Sequence, residues 1–209
     1  MAGHIASSSN INWNTPEKVL SRVRDCFGGG VDLDPCSNSN STVNARTSYT
    51  LPQDGLMLPW NIYDHTRIFI NPPFGVTHLS KDYTSTITAK EHSELKKLAK
   101  TGNKDAIALL DYFSIKYDIS DWMERCVKEA QNPSIEIITL TPVAVDTYYW
   151  QELIFKHGNA IAFPKGRIKF LNEGVEMKSP PMPTALTYFG THVTHFEEAF
   201  NGIGKVIKL

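Results

Sequence analysis

The chain has 209 residues, 41% of them hydrophobic and 21% charged, with a formal net charge of −1. These are ordinary values for one globular domain with a sizeable core, and the charge balance lends a nucleic-acid binder no support. No apolar stretch is long enough to span a membrane, and three scattered cysteines (Cys26, Cys36, Cys126) without a CxxC argue for a reducing cytoplasm and against a disulfide framework.

"MAGHIASSSNIN" lacks the basic-then-apolar pattern of a signal peptide, so residues 1–12 read as a disordered lead-in. "NTPEKVLSRVRDCF" predicts a helix with Thr15 as N-cap and Pro16 at its first position. "GVDLDP" predicts a short strand ending at Asp34-Pro35, followed by the polar loop "CSNSNSTVNARTS". "LPQDGLMLPW" reads as loop with a turn at Asp54-Gly55, and "TRIFIN" as a buried strand. Residues 76–119 form a peripheral, Lys-rich insert. In it "TAKE" is a capping box for a helix to about Gly102, and "DAIALLDYF" fits helix or strand. Beyond it come a helix from Ser120, the strand "SIEIITLTP", the helix "TYYWQELIFKHG", a strand–turn–strand in "NAIAFPKGRIKFL" and a last strand "TALTYFG". Strands alternating with helices predict an α/β fold of mainly parallel strands, with one antiparallel strand at an edge.

Ligands in such sheets sit at the carboxyl ends of strands. Three of these ends carry unusual chemistry: Asp34-Pro35, Asn71-Pro72-Pro73-Phe74, and Pro142 to Asp146. In "FINPPFG" the prolines give no ladder hydrogen bonds and fix φ, so the strand must stop at a stiff corner. The corner offers an amide, bare carbonyls and a ring. It fits a flat ligand carrying an amino group, such as adenine. The Asn71 side-chain oxygen and the Pro72 carbonyl could each accept one N–H and localise the nitrogen lone pair. Phe74 could stack on the base, a contact worth roughly 1–3 kcal/mol. Positioning and fixed dipoles, with no shifted general base, would then activate the amine.

The segments "WNTPEKVL", "LDPCS", "SYTLPQDGL" with Trp60, "FINPPFG", "LTPVAVDTYYW", "FPKGRIKF" and "PPMPTALTYFG", in this order, resemble the phage-encoded, Dam-like DNA N6-adenine methyltransferases. The resemblance implies a Rossmann-like fold, S-adenosylmethionine as methyl donor, double-stranded DNA as partner and no metal. Asn71, Pro72, Pro73 and Phe74 would be catalytic. Trp13, Thr15, Pro16, Asp34, Pro35, Cys36 and Asp54 would hold the cofactor. Asp146, Lys165, Arg167 and Lys169 would face DNA, the last two alternating along a strand. Asn38 and Asn40 stand where this loop usually has glycines, and asparagine tolerates positive φ best among the other residues. The lysines of the insert would help track DNA. His192 and His195 read as strand-end residues rather than a metal pair. Cytosine N4, RNA adenine or a protein glutamine as acceptor, or a non-catalytic binding module, are the competing readings. Asn71 favours adenine over cytosine.

Overall fold

The computed structural model describes residues 13–50, 53–75, 77–78, 89–114, 116–172, 174–177 and 182–209. The expected lead-in and Thr88 of the expected capping box lie outside these residues. Helix α1, Glu17–Cys26, turns Val19, Leu20, Val23 and Cys26 to the core, the spacing of one helical face. Thr15 does not cap it, contrary to the sequence expectation. Pro16 holds the cap position with extended backbone (φ −69°, ψ 149°), and no side chain bonds the helix end. Thr15 is tied elsewhere, its carbonyl accepting from Thr42 Oγ1 at 2.8 Å. The helix stops at a left-handed Gly28 (φ 64°), where glycine carries no steric penalty.

Strand β1, Leu33–Ser37, lies between two parallel neighbours, β2 (Thr47–Thr50) and β3 (Thr66–Ile70). β1 runs past its expected end, with a register break between Asp34 and Ser37. Pro35, which has no N–H for the ladder, sits inside that break. β2 has no counterpart in the sequence reading because "TSYT" shows no apolar alternation. At the entry to β3, Asp32 Oδ2 accepts the Arg67 N–H at 3.0 Å and its Nε at 2.7 Å. Burial raises the Asp32 pKa, and Arg67 more than offsets it, leaving the carboxyl below its ordinary value.

The residues Gly75–Asp118 are a separate compact unit. It holds a short antiparallel pair, β4 (Thr77–His78) and β5 (Lys116–Tyr117), and two helices, α2 (Ala89–Lys100) and α3 (Lys104–Ser114). "DAIALLDYF" is therefore helix, started by Asn103, whose Oδ1 accepts the Ala106 N–H at 2.9 Å. Lys96, Lys97, Lys100 and Lys104 are exposed.

The larger unit continues with α4 (Ile119–Glu129) and β6 (Ile135–Pro142). "TYYWQELIFKHG" then opens as a π-helix, Tyr149–Ile154, and becomes α only at Phe155–His157. Tyr149 Oη and Trp150 Nε1 both donate to the Pro142 carbonyl, at 2.9 and 2.8 Å. Two sequence neighbours thus reach one acceptor, which the wider turn permits. β7 (Ala160–Pro164), the hairpin β8 (Leu171–Asn172) and β9 (Val175–Glu176), β10 (Thr184–Phe189), α5 (Val193–Phe200) and β11 (Gly204–Lys208) complete the chain.

The seven-stranded sheet runs β11-β7-β10-β6-β3-β1-β2. β6 is parallel to β3, β10 antiparallel to β6 and β7, and β11 antiparallel to β7. So β2, β1, β3, β6 and β7 share one direction, and β10 and β11 oppose it. The expected antiparallel edge strand is β11, and a second reversed strand, β10, lies in the interior. Ile138, Leu140, Leu186 and Tyr188 cluster with Val19, Leu20 and Val23 of α1 and Phe196 and Phe200 of α5. Ile135, Ile137, Thr139 and Thr141 alternate to the other face and are equally buried, so both faces of β6 are covered.

Candidate active site

β3 is central and buried, and its ladder partner from Ile70 is Thr139 of β6. The next residues are Asn71, Pro72 and Pro73, and pairing stops there for want of backbone donors. Asn71 Nδ2 donates to the Trp13 carbonyl at 3.3 Å. That bond uses one of the two amide N–H donors and leaves Oδ1 able to accept from an incoming amino group. Phe74 meets Phe170 edge-on, centroids 5.8 Å apart at 76°, and Trp13 meets the same ring at 5.8 Å and 68°. Phe170 is 1% exposed and so holds both rings from inside.

The segment that supplies Trp13 touches three walls of the site. The Trp13 carbonyl takes Asn71. Asn14 pairs its backbone with Leu171 in both directions, at 2.8 and 2.9 Å. Its side chain reaches the loop after β1, donating to the Asn40 carbonyl at 2.8 Å and accepting from Asn38 Nδ2 at 3.0 Å. The Thr15 carbonyl takes Thr42. Thr15 Oγ1 is buried and has no hydrogen-bond partner among the described residues.

Asp34, 3% exposed, opens that loop. Its Oδ1 accepts the Cys36 N–H at 3.2 Å and its Oδ2 the Ser41 hydroxyl at 3.2 Å. Burial pushes its pKa up to about 6, against the pull of the hydrogen bonds from Ser37, Cys36 and Ser41. Burial, and then the Asp34 charge, push the Cys36 thiol well above its usual value, against a smaller opposing pull from the Asn71 backbone. Asn38 and Asn40 do not take the positive φ expected of them. Among the described non-glycine residues only Asn44 does, at 55°. Asn38 instead spends its side chain on Asn14 and on the Asn40 N–H, the latter at 2.9 Å.

The Asp54-Gly55 turn is pressed against β1. A Cβ on Gly55 would fall 1.7 Å from the Pro35 carbonyl oxygen, so only glycine fits. Asp54 Oδ1 accepts the Leu56 N–H at 3.0 Å, shaping the turn. Trp60 Nε1 donates to the Gly55 carbonyl at 2.8 Å. Arg125 Nη1 and Nη2 donate to the Leu56 and Leu58 carbonyls at 2.6 and 3.0 Å.

Lys165, Arg167 and Lys169 are exposed on the segment after β7, while Ile168 and Phe170 are buried between and beyond them. The alternation is that of a strand, but the segment is not in the sheet. The Lys165 N–H goes to the Ile203 carbonyl at 2.8 Å, and Lys169 Nζ pairs with Glu176 at 2.5 Å. Asp146 is exposed in the turn after β6, and its charge is felt by Tyr149. The structure thus brings Trp13, Thr15, Asp34, Pro35, Cys36, Asp54 and the corner around the ends of β1 and β3. The bonds given for Lys165 and Lys169 run to Ile203 and Glu176 instead. His192 and His195 stack at 5.4 Å, with His192 Nδ1 3.2 Å from Glu136 Oε1. Among the described residues no group of three or more His, Cys, Asp or Glu side chains could hold a metal. Among them, too, no helix is long and apolar enough to cross a membrane.

A family model described as DNA N-6-adenine-methyltransferase (Dam) matches residues 3–186. The chain belongs to this family. It is a DNA N6-adenine methyltransferase, and membership implies DNA as substrate and S-adenosylmethionine as methyl donor. Neither the curated proteins nor the solved structures give a match. Sequence reasoning missed Asn14, Gly55 and Phe170 of the methyltransferase. Phe170 had a signal in the apolar alternation Ile168, Phe170, whereas nothing local links Gly55 to Pro35.

Two outcomes follow from this geometry. Gly55→Ala should lower unfolding stability in urea by about 1–3 kcal/mol, because backbone must give way; an unchanged midpoint would mean the turn can retreat from Pro35. Asp34 binds its proton more tightly folded than unfolded, so it costs stability as pH rises from 3.8 to about 6 and beyond. Asp34→Asn should therefore melt at a higher temperature than wild type above that range, with the gap closing toward about pH 4. A gap that widens on acidification would contradict this sign.

Proposed function

We propose that the methyltransferase has a Rossmann-like fold and methylates a flipped-out adenine at the Asn71-Pro72-Pro73-Phe74 corner. The observation that supports this reading is the hydrogen bond from Asn71 Nδ2 to the Trp13 carbonyl, because it engages the amide through its nitrogen and leaves Oδ1 as the acceptor. Asn71 Oδ1 and the Pro72 carbonyl would each accept one N–H of the target amine. Together they would draw its nitrogen toward tetrahedral geometry and localise its lone pair. Phe74, backed by Phe170, would stack on the base. Flipping the base out of the duplex costs a few kcal/mol, which stacking and these two acceptors would offset.

The donor set fits S-adenosylmethionine. The orphaned hydroxyl of Thr15 is a buried polar atom that the described residues leave without a partner, and the buried Asp34 carboxyl stands at the head of the neighbouring loop. Trp13, Thr15, Pro16, Asp34, Pro35, Cys36 and Asp54 would hold it, and when bound it supplies an electrophilic sulfonium methyl. Lys165, Arg167 and Lys169 would contact DNA phosphates, with Asp146 near the target, and the exposed lysines of the second unit would add phosphate contacts. A cytoplasmic enzyme of phage origin that protects DNA from restriction fits the kind of family, and rests on that alone.

Asn71→Ala should reduce methyl transfer to unmethylated duplex DNA by about 10³-fold, the scale for loss of one preorganised group. Equilibrium binding of S-adenosylmethionine should stay within about twofold of wild type. Full activity in this variant would remove the corner from the chemistry.

A further inference from the structure

The Asn14 side chain bonds neither the corner's reacting groups nor any residue named for the donor, yet Asn14 is 4% exposed and its side chain is bonded at both ends. With Asn38 and Asn40 it closes a ring of three hydrogen bonds: Asn14 Nδ2 to the Asn40 carbonyl, Asn38 Nδ2 to Asn14 Oδ1, and the Asn40 N–H to Asn38 Oδ1. Its backbone is meanwhile fixed on the other side by Leu171. A buried primary amide is costly unless both ends are paired, so this one holds a single orientation. The loop it holds contains no glycine between Asp34 and Ala45, and Asn38 and Asn40 use no left-handed torsions. Around Asn38 and Asn40 its shape is therefore held by side-chain amides, and a left-handed torsion enters only at Asn44 (φ 55°).

We infer that Asn14 is a positioning residue for the methyl-donor loop. The inference rests on the reading that the loop after β1 holds S-adenosylmethionine. Asn14 acts through Asn38 and Asn40, and it leaves the chemical step alone because Asn71 is tethered to the backbone carbonyl of Trp13. Its loss frees the loop and weakens donor binding, while turnover at saturating donor persists.

The test is a double-mutant cycle of Asn14→Ala and Asn38→Ala, with steady-state kinetics on unmethylated duplex DNA and calorimetric binding of S-adenosylmethionine. Each single variant should raise the KM for S-adenosylmethionine about tenfold, the factor of one lost hydrogen bond. kcat and the KM for DNA should stay within about twofold. The double variant should raise the donor KM by clearly less than the product of the two single effects, since both remove the Asn38–Asn14 bond. A fall in kcat with the donor KM unchanged, or single effects that multiply, would overturn the inference. If Asn14→Ala does not fold, Asn38→Ala, in the half-buried loop, reads the same bond, and an unchanged donor KM there is equally fatal. Asp34→Asn separates the two levels. If it leaves donor binding unchanged, the loop is not the donor site and the underlying reading fails. If it weakens binding while Asn14→Ala does not, the inference alone fails.

Discussion

Two consecutive prolines cannot extend a β-ladder, and in this methyltransferase they stop β3, which lies between β1 and β6. Everything in the candidate site is arranged around that stop. The strand before it is fixed by buried pairing on both sides and, at its entry, by Asp32 and Arg67. The corner after it has few torsions left to vary. A stiff element on a rigid strand can hold an acceptor within a few tenths of an ångström, which is what activation by positioning demands.

The remaining parts reach the corner from far along the chain. Trp13 and Asn71 are separated by 58 residues and meet through one hydrogen bond. Phe170 arrives from the segment after β7 and backs both Trp13 and Phe74. Gly55 lets a turn press on Pro35, and Arg125 holds that turn by two carbonyls. On the proposed reading, donor loop and base corner are thus linked through the three residues Trp13 to Thr15. The link is made by main-chain carbonyls at both ends and by the Asn14 amide between them. The cost of assembling it is visible at Asp34, whose carboxyl is buried deeply enough to raise its pKa to about 6 despite its hydrogen bonds. Such perturbed groups cluster at functional sites.

The parts legible in the sequence were those whose physics is local. Asn71-Pro72-Pro73-Phe74 announces a strand end because proline acts on its own residue and the one before. β3 and β6 are readable as runs of β-branched residues. Where a role depends on a distant partner, the sequence misleads. Thr15 looks like a helix cap by position, but it bonds Thr42 and leaves the cap to Pro16. Asn38 and Asn40 look like substitutes for glycine torsions, but they work through their side chains. "GKVIK" is short, with a lysine on each side of its two apolar residues, so nothing marked it as the sheet edge. The π-helix at Tyr149 accompanies a shared acceptor on Pro142, a contact no periodicity reveals.

The measurement that bears most directly on this account is product identification. Wild-type protein would be incubated with labelled S-adenosylmethionine and unmethylated duplex DNA, and the nucleosides separated after digestion. The account predicts label in N6-methyladenine alone. Label in N4-methylcytosine, or DNA left unlabelled while the donor binds, would contradict an adenine pocket at the corner.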